Sequence, residues 1–538
     1  MKYPALRLTP PTRLLEVEGL RPVQARALAV LADAQDPDGL FLGAGVGFGK
    51  TLVGLLAGGV LGAKRPLYLT RSKLVPQVLA SRDHWALDGP PGVRDLLRRA
   101  VPRVVGYGAL SSITTGEGLL ESLRPDLLIL DEAHELGSPQ AARTRRVEDY
   151  LTAHQDTRVV VMTGTITRRS LLDMAHLLAW ALPHSEVGRL SYPVLVALDS
   201  IIAPGGEPDE IAWSVARGLV RWAGTPSTVA GVREAFRRLL VSTPGVLLTT
   251  DAPTQKGLSL EKWTPPLPGA LAKALTALGS WELPDGREIV EATEHARARS
   301  SLALGFYYAR PDPAPEVQRA KDAWSEVLKR HLRRPYNSPG LVSKAAKAGD
   351  LGAGARRAAA TWRRVKGRWP RGVAVWLARD IIEAAWAWAQ DGPPTVIWCA
   401  TSPVLEAFRA LGAPCFGAGS AIPQADLDPH VVASSRVHGT GSNLDGYPRA
   451  LVIEPPSGGA SWEQLIGRHH RPGREDDEGD VSIWVYARPW NMARSIEDAG
   501  YLGGVTGSPQ KLLTAKQSTP TPQEGPRKIN LDKVKRSV

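Results

Sequence analysis

Cysteine is almost missing from this chain: its 538 residues contain only Cys399 and Cys415. Two thiols exclude a disulfide framework and a cysteine-rich zinc site, and they suit a reducing cytoplasm. Long apolar runs are missing as well. No stretch reaches the roughly 18 uninterrupted apolar residues that a membrane-crossing helix needs. The opening "MKYPALRLTPPTRLLEVEGL" lacks the apolar core of an export signal. No internal repeat of about 20–50 residues is present, so a solenoid is not expected. The expected location is the cytoplasm, with no membrane partner.

Positive charge is what the chain has in excess. Its 66 Lys and Arg against 54 Asp and Glu leave a formal net charge of +12. Such a balance favours a polyanionic partner, with nucleic acid first. The hydrophobic fraction, 43%, is ordinary for a protein with packed cores. The length suggests about three or four domain-sized units.

Short apolar runs rich in Val, Ile and Leu recur in two clusters. The first holds "GLFLGAG" (39–45), "PLYLTR" (66–71), "RVVGYGAL" (103–110), "DLLILDEA" (126–133) and "RVVVMTGT" (158–165). The second holds "TVIWCA" (395–400), "APCFGAG" (413–419), "HVVASSRV" (430–437), "ALVIEPP" (450–456) and "VSIWVYA" (481–487). None alternates apolar with polar, which is how strands covered on both faces read. Helix-like segments such as "KTLVGLLAGGVLG" and "TSPVLEAFRALG" separate them. Strand and helix in alternation predict parallel sheets in an α/β fold. The expected boundaries are 1–190 for a first α/β lobe, 191–385 for a mainly helical accessory region, 386–500 for a second lobe, and 501–538 for a basic, disordered tail.

The stretch "GAGVGFGKT" (43–51) follows a strand run and opens a helix run, the context a phosphate-binding loop requires. Loop N–H groups and the helix N-terminus attract anionic oxygens. Gly47 and Gly49 let the backbone approach phosphate without a side chain in the way. Lys50 can reach the β and γ phosphates, and Thr51 can offer its hydroxyl to Mg²⁺. The run "LLILDEAH" supplies the acidic partner at the end of an apolar strand. There Asp131 is the expected holder of the metal shell, and Glu132 the residue that orients and deprotonates the attacking water.

At these residues the chain resembles the superfamily 2 helicases and translocases of the DEAH-box kind. Their loop commonly reads Ala-x-x-Gly-x-Gly-Lys-Thr. Here it is Ala44, Gly45, Val46, Gly47, Phe48, Gly49, Lys50 and Thr51. "LRPVQ" (20–24) resembles the adenine-reading segment, which implies nucleotide contacts from Arg21 and Gln24. "LTRSKLVPQ" (69–77) resembles a segment that touches nucleic-acid backbone, implying Arg71, Lys73 and Gln77. "DEAH" (131–134) is similar to the second motif and "TGT" (163–165) to the third, implying that His134, Thr163, Gly164 and Thr165 couple hydrolysis to movement.

In the second cluster, "SSRVHGTGSNLD" (434–445) resembles the fifth motif in its Swi/Snf form. That implies coupling through Gly439, Gly441 and Asn443 and a nucleic-acid contact at Ser435; Ser442 stands where that branch has an apolar residue. "QLIGRHHRPG" (464–473) matches the sixth, implying Gln464, Arg468 and Arg471 as groups that meet the γ-phosphate from across the cleft. The middle region, with "SLALGFYYARPDP" at 301–313, and the overall composition resemble helicases encoded by bacteriophages.

The resemblance implies two RecA-like lobes, ATP and Mg²⁺ as cofactors, and a nucleic-acid partner, DNA rather than RNA. It implies a helicase or duplex translocase acting in phage replication, recombination or branch processing in the host cytoplasm. Two alternatives stay open: an ATP-gated nucleic-acid-binding scaffold, and the motor subunit of a restriction or nuclease complex. His469 and His470 are adjacent and read as motif and surface residues. The tryptophans between 324 and 398 have helical spacing, which favours core packing over base stacking. The basic stretch 344–371 reads equally as a nucleic-acid path or a solvated face.

Overall fold

The computed structural model describes residues 11–33, 39–45, 47–112, 116, 118–164, 170–249, 256–289, 291–309, 311–332, 336, 339–370, 372–439, 444–470, 479–488, 492–507 and 510–517. Every apolar run of the first cluster becomes a strand: β1 (Leu40–Gly43), β2 (Pro66–Thr70), β3 (Arg103–Gly106), β4 (Leu127–Asp131) and β5 (Arg158–Thr163). A sixth, β6 (Val246–Leu248), joins from further along the chain. The sheet runs β3-β2-β4-β5-β1-β6 with all neighbours parallel.

Helices cover both faces, which explains the unbroken apolar runs. Leu40, Leu42, Ile129, Val160 and Met162 point to one side, toward Leu28, Leu55 and Leu97 of the helices Pro22–Ala32, Lys50–Leu61 and Pro91–Arg99. Phe41, Leu128, Leu130 and Val161 point to the other, toward Leu178, Leu198, Val220 and Phe236. The helix Lys50–Leu61 meets Pro91–Arg99 backbone to backbone. A Cβ on Gly59 would stand 1.8 Å from Leu96 O, so only glycine permits this approach.

The second lobe begins with β7 (Leu258–Trp263). An antiparallel pair comes next, β8 (Phe306–Ala309) and β9 (Val373–Trp376). Then come β10 (Thr395–Cys399), β11 (Cys415–Phe416), β12 (His430–Ser434), β13 (Arg449–Val452), β14 (Val481–Tyr486) and β15 (Lys516–Gln517). The main sheet runs β11-β12-β10-β13-β14-β7-β15, again all parallel. The fold is therefore α/β, with two RecA-like parallel-sheet lobes. Among the described residues no helix is long and apolar enough to cross a membrane.

The structure draws two boundaries differently from the sequence reading and buries two residues expected at the surface. The stretch 191–385 is not one separate region: β6 and the helices up to Ser242 complete the first lobe, while β7, β8 and β9 belong to the second. The stretch 501–517 is not tail. The helix Met492–Thr506 buries Tyr501 and Val505 in the first lobe's core and Ala499 in the second's, so it straps the two together. Beyond it β15 pairs with β7, and Lys511 is buried against Glu463, whose Oε2 accepts from Lys511 N at 2.7 Å. The remainder of the expected tail lies outside the described residues. Finally, His469 and His470 are not surface residues. His469 is fully buried, accepting from Trp398 Nε1 at 2.9 Å, and His470 Nε2 lies 2.7 Å from Lys256 O. Trp398 and Trp324 are buried in cores.

Candidate active site

β1 ends at Gly43 and the next helix starts at Lys50, so the chain must turn within six residues. Gly47 and Gly49 make the turn with φ of +101° and +77°, values that a side chain resists. Ala44 needs no such freedom: it does not take a positive φ, and its N–H donates to Thr163 O at 3.1 Å. The Lys50 amine folds back over the loop, donating to Ala44 O at 2.7 Å and Gly45 O at 2.9 Å. It therefore sits where an anion held by the loop would meet it.

The segment before the loop closes down on it. Arg21 Nη1 donates to Gly47 O at 2.6 Å, and Gln24 Nε2 to Gly49 O at 3.0 Å. Gln24 Oε1 accepts from Arg21 N at 2.8 Å, so both ends of this amide are engaged with protein rather than held open for a base. A cavity of about 390 Å³ opens beside the loop. Lys50, Thr51, Asp131 and Glu132 line its polar end, and Leu74, Val78 and Trp85 another part of its wall. Gln77 lines it too, and not the groove where the other expected nucleic-acid contacts lie.

Asp131 ends β4, and its neighbours fix it: Thr70 Oγ1 donates to its carboxylate at 3.2 Å, and Tyr107 OH to its carbonyl at 2.9 Å. Burial pushes the Asp131 carboxyl above the ordinary range, the adjacent Glu132 charge adds to this, and Lys50 opposes it. Such a carboxylate gains from a cation. Glu132 is next, at φ +51°, a left-handed backbone rare for a residue with a Cβ. Burial disfavours its charge, but His134 and then Lys50 and Arg71 outweigh that and hold it below the ordinary range. Two adjacent carboxylates are thus pushed apart in acidity, which fits them for different tasks.

His134 is the hub of a polar network at the end of β4. Arg71 Nη2 lies 3.1 Å from His134 Nε2, and arginine can only donate, so Nε2 accepts and Nδ1 carries the proton. Nδ1 faces Glu132 Oε2 at 3.3 Å and Thr163 Oγ1 at 3.4 Å. A Cβ added on Gly164 would stand 3.5 Å from Lys50 Nζ, so the third motif lies beside the loop lysine. Arg71 itself is committed to this network. Its Nε donates to Glu135 Oε1 at 2.7 Å, and Arg143 holds the other Glu135 oxygen at 3.0 Å.

The second lobe reaches the same place. Arg468, buried on the helix Gly459–His469, lines the cavity beside the loop, and its Nε donates to Gly439 O at 3.2 Å. Lys73 Nζ crosses from the first lobe to Val437 O at 2.9 Å. Gln464 does not line that cavity; it faces a cleft of about 320 Å³ beside Arg71 and His134 and also borders the groove that holds Ser435. Ser435 lines a larger groove between the lobes, about 700 Å³, with Arg71 and Lys73. That groove also takes Arg297, Tyr308 and Arg436, none of which the sequence reading singled out: Arg297 lies outside every motif, Tyr308 sits in the 301–313 stretch, and Arg436 is an unassigned position of the fifth motif. Val46, Thr165, Gly441, Asn443 and Arg471 lie outside the described residues. No protein-family model matches the chain, and a search of the curated proteins returns no match.

Proposed function

We propose that this chain is a nucleic-acid-dependent ATPase, a motor of the superfamily 2 kind with Swi/Snf-like features. One observation carries the reading. Arg468 of the second lobe lines the same cavity as Lys50, Thr51, Asp131 and Glu132 of the first. A cation delivered across a cleft onto a phosphate loop is what phosphoryl transfer needs, because the reaction is accelerated by charge stabilisation and positioning.

In this reading the loop N–H groups and Lys50 hold the β and γ phosphates of ATP. The Thr51 hydroxyl and the buried Asp131 carboxylate suit Mg²⁺, which when bound screens phosphate charge. Glu132, ionised and oriented through His134, accepts a proton of the attacking water. Arg468 meets the charge that develops on the transferred group. Nucleic acid in the groove between the lobes favours the closed arrangement, so each turnover is tied to a movement of one lobe against the other. Helicase and duplex translocase share this chemistry. The test is to compare ATP turnover with single-stranded DNA, duplex DNA, forked DNA and RNA. Stimulation by DNA is expected; turnover indifferent to all four would exclude a nucleic-acid motor.

A further inference from the structure

Between β8 and β9 the chain builds a unit of its own. Helices Pro315–His331, Pro339–Ala348 and Gly352–Val365 pack around Trp324, Val342, Ala346, Ala355 and Ala359. The unit is rooted at the groove, because Tyr308 of β8 lines it together with Lys73, Arg297 and Arg436. Trp362 and Trp369 pack against its core, and Lys321 covers the Trp369 ring at 3.9 Å, so these rings stiffen the unit.

The helix Gly352–Val365 has two contrasting sides. Ala355, Ala359 and Val365 are buried, while Arg356, Arg357, Arg363 and Arg364 are exposed. At about 100° per residue these four fall within an arc of about 120°, and they span about 12 Å along the axis. The helix has no acidic residue to offset them. Carboxylates of the neighbouring helix are directed elsewhere: Glu316 to Arg368, Glu326 to Lys329 and Asp322 to Gln318. Among the described residues none of the four guanidiniums pairs with a carboxylate. Lys344, Lys347 and Lys366 add further exposed charge nearby.

We propose that this unit is a phosphate-gripping arm for duplex nucleic acid, with Arg356, Arg357, Arg363 and Arg364 as its contacts. Two pairs of forked donors on one helix face match phosphates along a strand, and about 12 Å corresponds to roughly three to four base-pair steps at 3.4 Å each. The inference rests on the nucleic-acid reading of the cleft and adds a second, separate grip outside it. Contacts of this kind carry affinity and position without base preference.

The test uses the full chain and a fluorescent duplex of about 30 base pairs. The variant R356Q/R357Q/R363Q/R364Q changes only exposed side chains, and thermal unfolding checks that it folds. Affinity should fall about tenfold or more at low salt, and the log–log salt slope should become shallower by about 3.6, near 0.9 for each of the four phosphates no longer neutralised. The DNA concentration that half-saturates ATP turnover should rise in parallel, with turnover at saturating DNA unchanged. The variant R356K/R357K/R363K/R364K should regain most of the affinity. Unchanged affinity and slope overturn the arm, as does retention of anionic vesicles or an acidic peptide in preference to duplex. Reduced duplex binding with no ATPase response to DNA in either protein supports the arm and removes the motor reading. A DNA-stimulated ATPase with unchanged half-saturation does the reverse.

Discussion

At the scale of single residues, the proposed ATPase would divide its work between ground state and transition state, one lobe for each. Lys50 lies on the loop whether or not the cleft closes, so Lys50→Ala should weaken nucleotide binding as well as abolish turnover. Glu132→Gln should keep binding, because the amide retains the shape, and lose turnover by about 10²-fold or more, the scale of one positioned acid–base group. Fluorescent-nucleotide titration beside steady-state turnover separates the two; near-normal turnover in Glu132→Gln would remove it as the proton acceptor. Arg468→Lys is a stricter case. It keeps charge but loses the planar fork, so kcat with saturating DNA should drop about 10²–10³-fold with little change in KM. A raised KM at unchanged kcat would make Arg468 a ground-state contact.

At the scale of elements, legibility tracked burial. The ten apolar runs all became strands, since a strand covered on both faces must be apolar throughout, and the loop and the Asp131–Glu132 pair fell at strand ends as their chemistry requires. The missed strands are short or mixed. β6 has three residues, and β7, "LSLEKW", alternates apolar and polar, so neither carries the doubly buried signature. The contacts of Gln24, Gln77 and Arg71 were unreadable because a motif names a residue without saying which partner its side chain meets. Packing supplies two tests here. Gly59→Ala should destabilise the first lobe by about 2 kcal/mol or more, because its Cβ has backbone and not a flexible side chain in its path. Ending the chain after Gly507 removes Lys511 and leaves the Glu463 carboxylate buried without its partner, a change that costs about 3–5 kcal/mol. Denaturant titration measures both, with a stop after Gln517, which keeps these contacts, as the control.

At the scale of the whole molecule, Lys73 offers a pH test of the cleft between the lobes. Its amine is turned into the cleft, and burial there, with Arg71 and then Arg468 nearby, pushes its pKa down to about 8. A bound phosphate would favour the charged form, so affinity for single-stranded DNA should be full below that value and decline as pH rises through it. One unit above the pKa the protonated fraction is about a tenth, so the loss by pH 9 is up to about tenfold, and Lys73→Arg should flatten the profile. Binding measured at successive pH values decides it; a parent curve as flat as the variant's removes Lys73 from the contact. The placement of β7 has a different consequence, one for biosynthesis. It lies between β14 and β15, so its partners begin at Val481 and Lys516 while it begins at Leu258 itself. The strands of the first sheet have all been made by Leu248, but β7 leaves the ribosome more than 200 residues ahead of either neighbour. At about 5–20 residues per second that is a wait of roughly ten to forty seconds with two unpaired edges. Ser259, Glu261 and Lys262, the polar positions that hid this strand from a reading of apolar runs, put on that waiting edge the polar and charged side chains that disfavour pairing with a nascent chain beside it.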